Sequence, residues 1–505
     1  MATQKIEWNA KLLRVWGIAY YSLDPNIHKT IAEKEKYRKN IIKNNSCLTK
    51  NEKKFLIHEF QDIYDVLRIG DDSVEKQKCS NCLNWHQAIQ YCELCIRKYL
   101  KNNFGNWTSG NNEIDKLIQE CQQKTVAPHK IIEWIEYDQF EDRQTLERFG
   151  RQKIVLKRLN NSKSNNVNWF QEVTLSFTLN KTSVFLAKFY GLTKDPTTQD
   201  YMLVMRYYQN DLRHFLKDNC QSLSLLQKYN IIYLIAFNLN NFNRQNIVHR
   251  DLHSGNILYN SRNTIWSISD LGLSGPVNKP SNSIYGNLPY IAPEVICSEI
   301  YTTKSDIYSM GILMWEVITS ETPFDDYEHD LELALDIVKG CRPKIYEYIP
   351  HEYATLMKQC WDANPDNRPD AYTICIKMRL LLISFCKEMK KRQEIIQSKN
   401  LKSIIKNFFN FFKLKTKKDK NNQVIMNTQL SHNTRNKKYR IQNSKVHTFN
   451  IPIQPRNATD EYDSGQSGFE ISEEMQQQYL KIIGADNLNK SCDDQENGIA
   501  GPSQC

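Results

Sequence analysis

Asp251, Asn256 and Asp270 are the residues of this chain best suited to chemistry. Asn256 follows Asp251 by five positions, and Asp270 opens the turn-like Asp270-Leu271-Gly272. Two carboxylates and a carboxamide offer the hard oxygen donors that a small divalent cation takes, and a carboxylate near such an ion can accept the proton of an attacking hydroxyl. A second set is made of sulfur. Cys79-Ser80-Asn81-Cys82 and Cys92-Glu93-Leu94-Cys95 are two Cys-x-x-Cys turns a short loop apart. This spacing presents four thiolates tetrahedrally to Zn²⁺ and leaves no position open for water, so such a metal would be structural. Four unrelated buried cysteines and a redox pair are the competing readings, although redox sites use one such pair. His86 has no motif that would make it a ligand.

Elements that could position the oxygen donors are legible around them. Val155-Leu156-Lys157 ends a hydrophobic strand, and Glu172 lies on a helix predicted over Trp169 to Leu179. Tyr201 to Met205 reads as a buried strand, with Arg206-Tyr207-Tyr208 as the connection after it. Further toward the N-terminus, Leu56, Phe60, Ile63 and Leu67 recur at helical spacing, Thr49 and Glu52 make a capping box, and Gly70 is a helix stop. Ile114, Leu117, Ile118 and Cys121 mark another helix, and Val126-Ala127-Pro128 reads as a linker.

His249-Arg250-Asp251-Leu252-His253-Ser254-Gly255-Asn256, then Asp270-Leu271-Gly272, then Ala292-Pro293-Glu294 together resemble the protein kinase superfamily, closest to the serine/threonine kinases of the tyrosine-kinase-like group. The resemblance runs from about Ile131 to Ile383, about half of the chain. It implies an α+β bilobal fold, with a β-rich small lobe (here abbreviated) and a helical large lobe. It also implies ATP and Mg²⁺. Asp251 would be the catalytic base, Asn256 and Asp270 the Mg²⁺ ligands, and Lys157 the phosphate-holding lysine paired with Glu172. Met205, Arg206 and Tyr207 would line the adenine site, with Asp211 toward the ribose. Arg250 would read phosphorylation at Ser281, Ser283 or Tyr285. Glu294 would pair with Arg368, Asp306 would brace the catalytic loop, and Trp315 and Trp361 would anchor the core.

The chain departs from that pattern in two places. His253 stands where serine/threonine kinases carry a lysine on the transferring phosphate, and Asn287 where they carry a supporting threonine; a histidine there gives a weaker, pH-dependent charge. The small lobe is short. Two strands and a Gly-rich loop ahead of Lys157 need roughly 25–30 residues, and Phe140 to Lys157 is shorter than that. Trp134 to Phe140 reads as the start of the first strand. Thr145 to Gly150, with Gly150 its one glycine, is too short for the rest of the loop and the second strand.

Length and composition set the remaining expectations. A chain of 505 residues with 40% hydrophobic and 25% charged residues suits a globular protein with polar extensions. The net charge of +10 is concentrated in Lys387 to Arg440 and does not argue for nucleic acid as a partner. The organisation expected is a helical region over 1–70, a four-cysteine zinc knuckle and helix over 71–127, the kinase-like region over 131–383, a basic amphipathic segment over 384–420, and a mostly disordered tail over 421–505 with a helical island around Ile471 to Ile483. Ile404, Ile405, Phe408, Phe409, Phe411 and Phe412 interleave with lysines, so 402–420 could meet an anionic membrane surface or pack on the large lobe. Trp16 to Leu23 is too interrupted for a secretory signal, which points to the cytoplasm or nucleus, to fourteen mostly reduced cysteines and to an unmodified Asn106. The expected activity is transfer of the γ-phosphoryl group of ATP to Ser/Thr on protein substrates in intracellular signalling. The alternative is a pseudokinase scaffold. Oligomeric state is not legible.

Overall fold

The computed structural model describes residues 6–388, leaving out 7–8, 22, 24–26, 142–144, 147–151, 160–161, 163–166, 183–185, 221, 261–264, 277–283, 299 and 386, together with 444–447 and 454–457. The basic stretch 402–420, Ser281, Ser283 and the helical island around 471–483 lie outside the described residues.

At the N-terminus, helices Ala10–Tyr21, Ile31–Asn44 and Lys50–Arg68 share one apolar cluster. Two of them open on capping boxes, Thr30 with Glu33 and Thr49 with Glu52. The third helix buries Leu56, Phe60 and Tyr64, and Trp16 stacks on Phe60 at 3.8 Å between centroids. Ile63 is only half-buried and Leu67 is exposed, against expectation. Each four-residue step turns the row by about 40°, so the buried row runs through Leu56, Phe60 and Tyr64 and leaves Ile63 and Leu67 at its margin. Asp65, fully buried, accepts the backbone N–H groups of Ile89 (2.9 Å) and Gln90 (3.1 Å), which ties this helix to the cysteine segment.

Helices Glu93–Asn102 and Asn112–Gln123 follow. Ile114, Ile118 and Cys121 enter the principal core of the molecule, and Gln122 Nε2 donates to Ile132 O at 2.9 Å. The cysteine segment is therefore joined to the small lobe through this helix.

The small lobe is one six-stranded sheet in the order Glu133–Trp134, Phe189–Lys194, Tyr201–Arg206, Gln152–Arg158, Thr145–Leu146, Phe140–Glu141. All pairings are antiparallel except the first, where Trp134 lies parallel to Leu192. That edge pairing depends on Gly191, because a Cβ there would fall 1.7 Å from Glu133 O. Two expectations change here. Trp134 does not begin the first strand of the hairpin but sits at the opposite edge. Thr145–Leu146 does form a second strand, because each arm is cut to two residues and only 142–144 separate them.

Below the sheet the large lobe is helical. Leu225–Asn243 and Thr303–Thr319 run through its core, flanked by Leu212–Asn219, Leu331–Val338, His351–Cys360 and a helix over 371–385. This is the bilobal α+β architecture that the motifs implied. Thr303–Thr319 is buried along almost its whole length, and three of its polar members serve loops. Asp306 accepts from the backbone N–H groups of His249 and Arg250, Ser309 Oγ donates to Tyr290 O at 2.7 Å, and Glu316 accepts from Tyr290 Oη at 2.7 Å. Buried polar groups stay in a core only when paired, so this helix both fills the lobe and fixes the loops above it.

Candidate active site

Lys157 near the end of strand Gln152–Arg158, Glu172 in helix Val167–Thr182 and Asp270 after strand Ile265–Ile268 come from three separate elements and meet at one point. Lys157 Nζ lies 2.6 Å from Glu172 Oε1 and 2.7 Å from Asp270 Oδ1. Burial disfavours the charge on Lys157, but the Asp270 and Glu172 carboxylates outweigh it and raise its pKa. Burial also works against ionised Asp270, yet Lys157 and the N–H of Gly272 hold its pKa below the usual value. Glu172 moves the other way, raised by burial despite Lys157. One ammonium shared by two carboxylates cannot compensate both equally.

Asp251 lies on the loop between strands Ile247–Val248 and Ile257–Asn260. Asp306 clamps that loop from below, accepting from His249 N at 2.7 Å and Arg250 N at 2.9 Å. Arg250 and Asp270 both take left-handed backbone, φ +70° and +58°. Non-glycine residues adopt that region at a cost, and such residues cluster at functional loops. Asn256 Nδ2 donates to Asp251 O (2.9 Å) and Oδ2 (3.2 Å), which fixes the carboxylate. Burial alone would push Asp251 up, but His253, Ser444 and His249 together hold its pKa below the ordinary carboxylate value.

His253 Nδ1 accepts from Gly255 N at 3.0 Å, so a neutral ring carries its proton on Nε2. That nitrogen faces Ser444 Oγ at 3.0 Å and Asp251 Oδ2 at 3.6 Å. Ser444 Oγ in turn donates to Asp251 Oδ1 at 2.8 Å. Asn287 is buried just after strand Ile284–Gly286.

The other expected residues are distributed as follows. Tyr201–Arg206 is paired on both sides, and Met205 is buried in it. Arg206 Nε reaches Tyr190 Oη at 3.4 Å, and Tyr207 N donates to Lys153 O at 3.1 Å. Asp211 is held at the start of helix Leu212–Asn219, where its carboxylate accepts from His214 N and meets His214 Nδ1, both at 2.8 Å. Its first role is thus helix capping, which any Asp ahead of an amphipathic stretch could have signalled. Glu294 and Arg368 form a two-pronged pair, both contacts 2.7 Å. Trp315 and Trp361 are core residues.

The donor set fits a hard divalent cation. Asn256 spends its amide nitrogen on Asp251 and Asp270 spends Oδ1 on Lys157; among the described residues no partner takes Asn256 Oδ1 or Asp270 Oδ2. The four cysteines fit a different ion. All four sulfurs lie within 4.8 Å of one another, with Cys79–Cys95 at 3.6 Å and Cys82–Cys92 at 3.7 Å. A disulfide needs about 2.05 Å, whereas two thiolates on a tetrahedral Zn²⁺ with 2.3 Å bonds stand about 3.8 Å apart. The backbone N–H groups of Cys82 and Asn81 lower Cys79 to about 6.

Residues 141–378 match the family model described as protein tyrosine and serine/threonine kinase. This stretch is a protein-kinase domain. The kinase domain is similar to a serine/threonine-protein kinase/receptor of Acanthamoeba polyphaga mimivirus, 33% identical over 178 residues, which are 35% of this chain and 11% of that one. It is also similar to a serine/threonine-protein kinase of Dictyostelium discoideum, 32% identical over 236 residues, 43% of this chain and 12% of that one. A third relative, the RGS domain-containing serine/threonine-protein kinase A of the same organism, is 31% identical over 171 residues, 34% of this chain and 15% of its own. The chain thus spans a small fraction of the length of the curated relatives it matches.

One residue at the centre of the kinase domain's site has no signal in the sequence. Ser444 sits in a polar, lysine-containing stretch with no motif, and its partners are 193 and 191 positions away.

Proposed function

We propose that this chain is an ATP- and Mg²⁺-dependent protein kinase that transfers the γ-phosphoryl group to Ser/Thr hydroxyls on proteins, acting in intracellular signalling. The observation that carries this reading is the pair of clusters Lys157–Glu172–Asp270 and Asp251–Asn256–Ser444, joined where Ser269 N, next to Asp270, donates to Asn256 O at 2.8 Å.

In this reading Lys157 holds the α- and β-phosphates and Glu172 keeps it aimed. Asn256 and Asp270 hold magnesium, which when bound would neutralise phosphate charge. Asp251 orients the acceptor hydroxyl and takes its proton. His253, with Nε2 facing the acceptor oxygen, supplies a donor where a lysine is usual. Met205, Arg206 and Tyr207 offer the wall and backbone for adenine, with Asp211 at its edge. Serine/threonine specificity is supported by the relatives' names, and the tyrosine-kinase-like group is inferred from the motif resemblance alone. We infer in addition a structural Zn²⁺ on Cys79, Cys82, Cys92 and Cys95, supported by the sulfur spacing.

A scaffold with weak transfer is the second reading, favoured by the three residues, 142–144, that separate the two hairpin strands. Thermal shift with ATP, with and without Mg²⁺, followed by phosphate transfer to casein separates the two. Magnesium-dependent binding with transfer supports the enzyme; binding without transfer supports the scaffold.

A further inference from the structure

Residues Lys445–His447 form a strand antiparallel to Ile284–Gly286, in the register Ile284 with His447, Tyr285 with Val446 and Gly286 with Lys445. His447 Nε2 adds a hydrogen bond to Gly286 O at 3.1 Å. The segment 454–457 also rests on the large lobe, where Arg456 N donates to Val338 O at 2.8 Å and Ala363 N to Asn457 Oδ1 at 2.6 Å. The tail is therefore laid along the front of the lobe at two separate places.

The pairing register sets what enters the site. Gly286 faces Lys445, so the next residue of the tail, Ser444, stands over the loop that carries Asp251. Its hydroxyl donates to Asp251 Oδ1 at 2.8 Å and faces His253 Nε2 at 3.0 Å. Asp251 is the base in the reading above, and an acceptor hydroxyl needs hydrogen-bond reach of its base and a backbone fixed in register. Ser444 has both. Backbone pairing of an extended segment to a sheet edge is also a general way of holding a peptide.

We propose that Ser444 is an intramolecular phosphoacceptor of this domain, a proposal that rests on the kinase reading. Ser444 Oγ attacks the γ-phosphorus of ATP, the bond from that phosphorus to the β–γ bridging oxygen breaks, and ADP departs with the electron pair. The hydroxyl proton passes to Asp251. The product carries a phosphate beside Asp251, where like charges repel, so the modified tail leaves the groove and frees it for other substrates.

The test uses the full chain, dephosphorylated, with ATP and Mg²⁺ and with casein as a second acceptor. Expected is phosphate on Ser444, located by peptide mass mapping, accumulating at a rate per molecule that stays constant over about a tenfold range of protein concentration, as an intramolecular step requires. S444A loses this phosphopeptide and S444T restores it. Casein phosphorylated while Ser444 stays bare overturns the proposal and leaves the kinase reading standing. A Ser444 rate that rises in proportion to protein concentration overturns the intramolecular step. No phosphate on either acceptor contradicts the kinase reading itself and the proposal with it.

Discussion

Lys157 Nζ stands 2.7 Å from Asp270 Oδ1 while remaining 2.6 Å from Glu172 Oε1, so one ammonium joins the small-lobe sheet, its helix and the large-lobe turn. Removing the helix's contribution should loosen the lysine without removing it. Glu172→Gln should lower kcat/KM for ATP by about 10- to 100-fold, or about 1.4–2.7 kcal/mol. Lys157→Met should cost more and also remove the thermal shift caused by ATP. Steady-state kinetics and melting curves check both.

The pH dependence follows from Asp251. Its pKa in the folded protein is depressed, the net result of burial opposed by His253 and other neighbours. A carboxylate depressed below its unfolded value of about 3.9 adds stability above that pH, which is lost as pH falls through the folded value. Activity that needs ionised Asp251 should therefore hold to mildly acidic pH. In His253→Ala the acid limb of kcat/KM should move to higher pH, because the largest stabilising partner is gone. Profiles of the two proteins with casein measure this, and identical acid limbs would count against the His253–Asp251 coupling.

Gly286 has φ +131°, and a Cβ there would lie 3.2 Å from Asp251 Oδ1. Gly286→Ala should lower turnover by about tenfold through crowding of the carboxylate, with KM for ATP nearly unchanged. The left-handed backbone adds about 1 kcal/mol of destabilisation. The contrast between kcat and KM separates local crowding from general unfolding.

Arg368 is buried and meets Glu294 through two 2.7 Å contacts, with further bonds to Asp362 O and Lys304 O. Glu294→Ala leaves the guanidinium buried without its counter-charge and should destabilise the large lobe by about 3–5 kcal/mol. Chemical denaturation followed by tryptophan fluorescence reads the change, since Trp315 and Trp361 lie in the same core.

Zinc makes a separate prediction. The sulfur spacing calls for one Zn²⁺ per chain, measured by elemental analysis. Chelation or Cys92→Ser should lower the melting temperature of the N-terminal part, because the free energy of metal binding is part of the free energy of folding. Equal melting curves with and without a strong chelator would remove the metal from the account.

Much of the site is legible in the sequence because side-chain chemistry fixes it locally. Asp251, Asn256 and Asp270 announce themselves by type and spacing, and Glu294 with Arg368 by their motifs. What escapes depends on distant partners. The parallel edge strand at Glu133–Trp134 exists because Gly191 leaves room for it, and a lone glycine in an apolar run does not say which strand will approach. Periodicity selects Ile63 and Leu67 for the apolar row of helix Lys50–Arg68, whereas the buried row passes through Tyr64, because spacing alone does not say which of two adjacent rows the neighbouring helices cover. Lys445–His447 has the alternation of many polar segments, and only the exposed edge of Ile284–Gly286 makes it a strand.

The most direct test is transfer of labelled γ-phosphate from ATP to casein by the full chain and by its Asp251→Asn variant, which keeps the side chain's shape and removes its charge. The account predicts Mg²⁺-dependent transfer by the parent and a loss of at least about 10²-fold in the variant. Equal transfer by both, or none by a parent that binds ATP and Mg²⁺, would contradict it.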